Sequence, residues 1–222
     1  MKTRGPDHPY VFVALYYLDL VLEAKGKFQD ARADLEHSLA TQKTTNIAQF
    51  VSTLGWLDFD QEDYAAAEQR ARAAMELRKP AGEETPQFVS SLMQVAMTRL
   101  YQRDAQAAES LLRQALEIRR KRLPAWHPDI AAAEVWLGEA LVVKKDPAQA
   151  EPILRHAADS LEHAPFQVAA WQLAEARAAY GVCLQALGRT EEGATLISKS
   201  RADLQSNPRP AFRTVGILKL LR

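Results

Sequence analysis

Five times along this chain a small residue is followed four positions later by an apolar or small one and seven positions later by another small one. The sets are Ala31/Leu35/Ser38, Ala67/Ala71/Ala74, Ala108/Leu112/Ala115, Ala150/Leu154/Ala157 and Gly193/Ile197/Ser200, with leading residues spaced by 36, 41, 42 and 43. Twelve residues ahead of each leading residue runs a second register: Asp19, Gly55, Ala96, Gly138 and Gly181, preceded by Leu18, Leu54, Val95, Leu137 and Tyr180. Offsets of three, four and seven place side chains on one face of a helix, so each repeat reads as a helix pair. The turn inside each pair falls near Gly26, Glu62, Arg103, Lys145 and Gly188. A chain that repeats one helical hairpin is all-α, and its repeats run over about 8–43, 44–82, 84–123, 126–163 and 165–205.

The recurring small residues carry a physical cost that identifies their purpose. Glycine inside a helix is about 1 kcal/mol less favourable than alanine. Gly55, Gly138 and Gly181 give up local helix stability, and close approach of two helix axes is the expected compensation.

Composition supports a folded protein. Of the 222 residues, 47% are apolar and 25% charged, and Lys+Arg balance Asp+Glu at 28 each. That balance removes the broad attraction by which nucleic-acid binders collect phosphates, so no nucleic-acid partner is expected. The single cysteine, Cys183, excludes an intrachain disulfide framework and fits a reducing compartment, hence a cytoplasmic location. The start "MKTR" before "VFVALYYL" imitates a secretory leader. Asp7, His8 and Pro9 interrupt it, Asp19 ends the apolar run, and no small-residue cleavage site follows. No stretch reaches the roughly 18 uncharged apolar residues of a membrane span.

With its L-G-x2-Y and A-x3-F elements seen in "WLGEAL" and "AEPILRHA", the pattern resembles the tetratricopeptide repeat. The period near 42, with "ALEIRRK" closing one repeat and "HPDIA" opening the next, is most similar to the kinesin-light-chain-type branch. The resemblance covers about residues 8–204 and implies a right-handed α-α superhelix, a solenoid whose first helices line a concave groove. Residues 208–222 read as one more helix, either a cap over the end of the stack or the start of a sixth repeat.

Candidate reactive groups have simpler readings. His8-Pro9, Thr85-Pro86 and His127-Pro128 each set a proline 22 residues ahead of a leading alanine. There, proline's missing N–H and fixed φ are harmless at a helix start. Thr85 suits an N-cap, and Asp129 suits the positive end of a helix dipole. His156 and His163, seven apart, lack a third ligand at metal spacing. No nucleophile has an identifiable base and no phosphate-binding glycine loop is present, so no catalytic residue, metal or cofactor is expected. Cys183, among Tyr180, Val182 and Leu184, reads as buried. "RRKR" at 119–122 and "LRK" at 77–79 place cations at the negative end of a helix dipole.

The expected function is a non-enzymatic scaffold that binds a peptide or partner protein. Carried along the repeats, the groove register gives Tyr16, Leu20, Trp56, Phe59, Met93, Met97, Tyr101, Val135 and Val142, aromatic and aliphatic side chains suited to an apolar or helical peptide. These same residues also suit a core between tightly wound helices. The open ends of such a stack offer surfaces for self-association. The Lys, Asn and Arg set of chaperone-adaptor domains is absent from this register. "YY", "ST", "MQ", "VW" and "AA" stand where kinesin-light-chain cargo grooves carry an Asn pair. A second reading takes the ending "NPRPAFR" and the repeat period as similar to C-terminal tails of bacterial Ser/Thr kinases, making the chain a regulatory region of a larger signalling protein.

Overall fold

The computed structural model describes residues 28–41, 47–165 and 170–206. Tyr16, Leu20, Gly26 and the expected helix at 208–222 lie outside them. The described residues form nine α-helices: α1 (Phe28–Thr41), α2 (Ile47–Asp60), α3 (Tyr64–Arg78), α4 (Pro86–Tyr101), α5 (Ala105–Arg122), α6 (Pro128–Val143), α7 (Pro147–Glu162), α8 (Ala170–Ala186) and α9 (Thr190–Ser206). A single 3-10 turn, Lys79–Ala81, follows α3. Among the described residues there is no strand, so the expected all-α class holds. No described helix is long and apolar enough to cross a membrane. The chain divides into two compact units, one reaching Gln94 and the other starting at Val95, so the boundary falls inside α4.

Each hairpin turn is built in one way, and it falls where the sequence puts it. Glu62, Arg103, Lys145 and Gly188 adopt φ of 65°, 68°, 64° and 83°. This left-handed residue ends the first helix and frees the chain to reverse. Its N–H bonds the carbonyl three residues back, as from Glu62 to Phe59 and from Lys145 to Val142. The following N–H then reaches five back: Asp63 to Asp58, Asp104 to Arg99, Asp146 to Leu141 and Arg189 to Leu184, each at 2.9 Å. This pair of bonds satisfies carbonyls that the helix end leaves bare. In three turns the next residue caps the second helix. The carboxylates of Asp63, Asp104 and Asp146 accept from Ala66, Ala107 and Gln149 N–H at 3.0, 3.1 and 3.2 Å.

The small-residue registers are the packing surface. Ala31, Ala67, Ala108 and Ala150 are fully buried, as are Ala71, Leu112 and Leu154 four residues after three of them. A Cβ built on Gly138 would lie 2.3 Å from Leu154 Cγ, and one on Gly193 would lie 2.3 Å from the Gly181 carbonyl oxygen. A Cβ on Gly55 would meet the Gln94 amide at 2.9 Å. Glycine at these points lets α6 receive a leucine from α7, α8 approach α9 backbone to backbone, and α2 accommodate the Gln94 amide of α4.

Candidate functional site

In the first unit the groove register carries an aromatic chain. Trp56 meets Phe59 edge to face at 5.6 Å, and Phe59 meets Tyr64 of α3 at 5.3 Å. Trp56 keeps part of its surface in solvent, whereas Phe59 and Met93 are buried. In the second unit Tyr101 is half-buried, and Met97, Val135 and Val142 are buried. Of the register residues described, five are therefore buried, and Trp56 and Tyr101 retain surface. A buried side chain offers a partner nothing without rearrangement.

Ser52 and Gln94 of the first unit turn toward each other. Ser52 Oγ donates to Gln94 Oε1 at 2.8 Å, and Gln94 Nε2 donates to the Ser52 carbonyl at 2.9 Å. Both residues are buried, so this reciprocal pair ties α2 to α4 and satisfies its own polar atoms. It is a structural joint within the first unit.

Three first helices also carry a buried charge clasped by second helices on either side. Asp58 of α2, 2% exposed, lies 2.6 Å from Arg32 of α1 and 2.7 Å from Arg70 of α3. Glu134 of α6, 0% exposed, accepts from Arg120 of α5 at 2.8 Å and sits 2.7 Å from His156 Nδ1 of α7. Arg177 of α8, 8% exposed, donates to Glu162 of α7 at 2.9 Å and to Asp203 of α9 at 2.6 Å. A charge this buried is tolerated only when paired and hydrogen-bonded. Each clasp joins a first helix to the second helices beside it.

The basic helix ends do more than face a dipole. Arg78 is buried and donates to the Gln87 carbonyl at 3.0 Å, Ser91 Oγ at 2.6 Å and Gln49 Oε1 at 2.9 Å, joining α3 to α2 and α4. Burial pulls its guanidinium below the ordinary arginine pKa. Arg119, one repeat later, donates to the Asp129 carbonyl at the start of α6. Burial lowers its pKa too, and the Asp129 charge opposes that shift.

His127 caps α6. Its Nδ1 accepts from the Asp129 N–H at 3.2 Å, Pro128 occupies the first helical position, and Trp126 stacks on the imidazole at 6.3 Å. Thr85 Oγ1 accepts from Phe88 N–H at 3.3 Å at the start of α4. His163 Nδ1 lies 3.0 Å from the Asp159 carbonyl. Cys183 is buried, with its thiol 3.3 Å from the Pro147 carbonyl, and desolvation pushes its pKa up to about 11. A thiol held protonated in this way is a poor nucleophile at neutral pH. Among the described residues no three His, Cys, Asp or Glu side chains gather as a metal site.

Helix pairs reversed by a left-handed residue and packed through glycine and alanine registers define a helical-hairpin repeat protein. Residues 89–129 match the model of the tetratricopeptide repeat. The fold is similar to BtubC of P. vanneervenii, at 17% identity over 90% of this chain and 83% of that one, with a TM-score of 0.71. It is also similar to kinesin light chain tetratricopeptide-like repeats of Podosopora anserina, at 19% identity over 90% and 97% of the two chains, with a TM-score of 0.69. A Rap protein complexed with Competence and Sporulation Factor superposes at 17% identity and a TM-score of 0.72, covering 86% of this chain and 53% of that one. No curated protein sequence matches the chain.

Proposed function

We propose that the chain is a non-enzymatic, cytoplasmic binding module that presents first-helix side chains to a protein or peptide partner. The observation that carries this reading is the partial exposure of Trp56 and Tyr101, each on a first helix whose other register residues are buried. Large aromatic side chains lose little conformational entropy on binding and dominate interface energetics. The fold adds support, since a Rap protein of similar architecture is complexed with Competence and Sporulation Factor. Of the nine expected groove residues, the reading assigns direct contact to these two. It gives Phe59, Met93, Met97, Val135 and Val142 the task of holding the helices that present them.

The test is to capture the partner from native lysate, identify it, and titrate it against Trp56→Ala and Tyr101→Ala separately. Each substitution is expected to weaken binding by over about 1 kcal/mol with helicity and melting midpoint retained. Full-affinity binding by both variants refutes the assignment. The regulatory-region reading is separated from a free-standing module by the coding sequence upstream of Met1. An in-frame kinase domain supports it, and a stop codon just before Met1 ends it.

A further inference from the structure

On the second-helix side of the second unit, α5 and α7 leave a depression of about 370 Å³ floored by Leu116, Leu137 and Ile153. Arg113, Arg120 and Lys121 line it, with Glu117 as its one carboxylate. All four charged side chains are exposed, and α5 ends in the unbroken cationic run Arg119 to Arg122. The cations are paired within the chain: Arg113 with Glu109 at 2.8 Å, Arg120 with Glu134 at 2.8 Å, and Lys121 with Glu117 at 2.7 Å. Glu134 is fully buried and cannot compete for a ligand in the depression, whereas the outer faces of the cations stay in water. Lys121 and Glu117 are exposed on both sides of their pair and exchange partners at little cost, and Glu109 keeps Lys144 when Arg113 turns away.

We propose that this depression docks an acidic peptide segment of a partner protein. One apolar side chain of the segment seats on Leu116, Leu137 and Ile153, and its carboxylates pair with Arg113 and Lys121, while Arg120 stays on Glu134. Charge complementarity selects the occupant, because three cations face one carboxylate around an apolar floor. The volume suits a single large side chain, and guanidinium groups match carboxylates in geometry as well as charge. Nucleic acid fits less well, since the apolar floor offers its phosphates nothing. Neither Trp56 nor Tyr101 lines the depression, and the proposal does not depend on their role.

The experiment uses the full chain and a short fluorescein-labelled peptide alternating Glu with Leu, its counterpart with Gln for Glu, a single-stranded RNA oligomer and inorganic phosphate. Polarisation should show saturable binding of the acidic peptide, at least about tenfold weaker for the Gln peptide and for the Arg113→Glu/Lys121→Glu variant. Affinity should fall as salt is raised, and Trp56→Ala/Tyr101→Ala should bind as wild type does. The salt series and the Gln peptide on wild-type protein decide the matter even if the charge-reversed variant melts early. Several outcomes overturn the proposal: no acidic-peptide binding, equal binding of the Gln peptide, tighter binding of RNA, displacement by phosphate alone, or loss only in the Trp56/Tyr101 variant.

Discussion

In the α6/α7 hairpin a leucine fills the space above a glycine, with Leu154 against Gly138, whereas in α8/α9 two glycines, Gly181 and Gly193, set backbone against backbone. The clasps differ as well. Glu134 is held by Arg120 and His156, while Arg177 stands in the same register with Glu162 and Asp203 around it, so the central residue changes from acid to base. The turns differ in a third way. Lys145 carries a strained positive φ and is followed by the Asp146 cap, but Gly188 takes that conformation freely and Arg189 follows it. Arg189 instead bonds Glu192, within the first turn of α9, at 2.6 Å. One architecture is thus reached through different residue chemistries, and what persists is geometry: a void to fill, a charge to neutralise, a chain to reverse.

The clasps yield the largest expected effects. Removing both flanking groups, as Arg120→Ala/His156→Ala or Glu162→Ala/Asp203→Ala, strands a buried charge and should cost about 3–5 kcal/mol in denaturant unfolding. Replacing the central group by an apolar residue of similar size, Glu134→Leu or Arg177→Met, should cost under about 1 kcal/mol, because the half-exposed flanks rehydrate. If central and flanking replacements cost the same, the clasps are not where the buried charge is neutralised.

The glycines come next. Gly193→Ala drives a methyl into the Gly181 carbonyl, which cannot repack, so a loss of about 2–3 kcal/mol is expected. Gly138→Ala meets a movable side chain and should cost less, about 1–2 kcal/mol, while Gly138→Leu exceeds it. Thermal melts in which Gly138→Ala unfolds at a lower temperature than Gly193→Ala would break the distinction between the two hairpins.

Turn substitutions should act in opposite directions. Lys145→Gly relieves the left-handed strain and stabilises by about 0.5–1 kcal/mol, and Gly188→Ala introduces strain and costs about 1 kcal/mol. The smallest effect concerns Glu109 of α5. The Lys144 ammonium hydrogen-bonded to it, and then Arg113, hold its carboxyl below the usual carboxylate range against desolvation. Its folded pKa lies below the unfolded value of about 4.3, so the stability it contributes is present above that pH and is lost as pH falls through the folded pKa. Glu109→Gln should therefore flatten the acid side of the stability profile and leave the neutral region nearly unchanged.

The helical registers and turn positions are legible in the sequence because each repeats at a fixed offset with one kind of residue. The capping aspartates were legible too. Asp63, Asp104 and Asp146 stand four residues ahead of Ala67, Ala108 and Ala150, and their regularity is broken by Lys27 in the first repeat and Arg189 in the last. The clasps escape such a search, since Asp58, Glu134 and Arg177 differ in charge or offset and their partners lie 12 to 26 positions away. Arg78 and Arg119 read as dipole partners from their helix-end positions, while the carbonyls they reach belong to the next first helix. For the groove register, apolar periodicity says that a side chain is covered without saying whether a neighbouring helix or a partner covers it. Burial of Met93, Met97, Val135 and Val142 beside the partial exposure of Trp56 and Tyr101 is a property of packing, not of spacing.

The claim beneath all of this is that small residues recur so that a facing side chain or backbone can occupy their place, and a double-mutant cycle of Gly138→Ala with Leu154→Ala tests it most directly. If Gly138 exists to seat Leu154, the double variant is more stable than the sum of the single losses by about 1 kcal/mol or more. Strictly additive losses would mean that the glycine and the leucine do not answer one another, and the packing rationale for the repeat would fail.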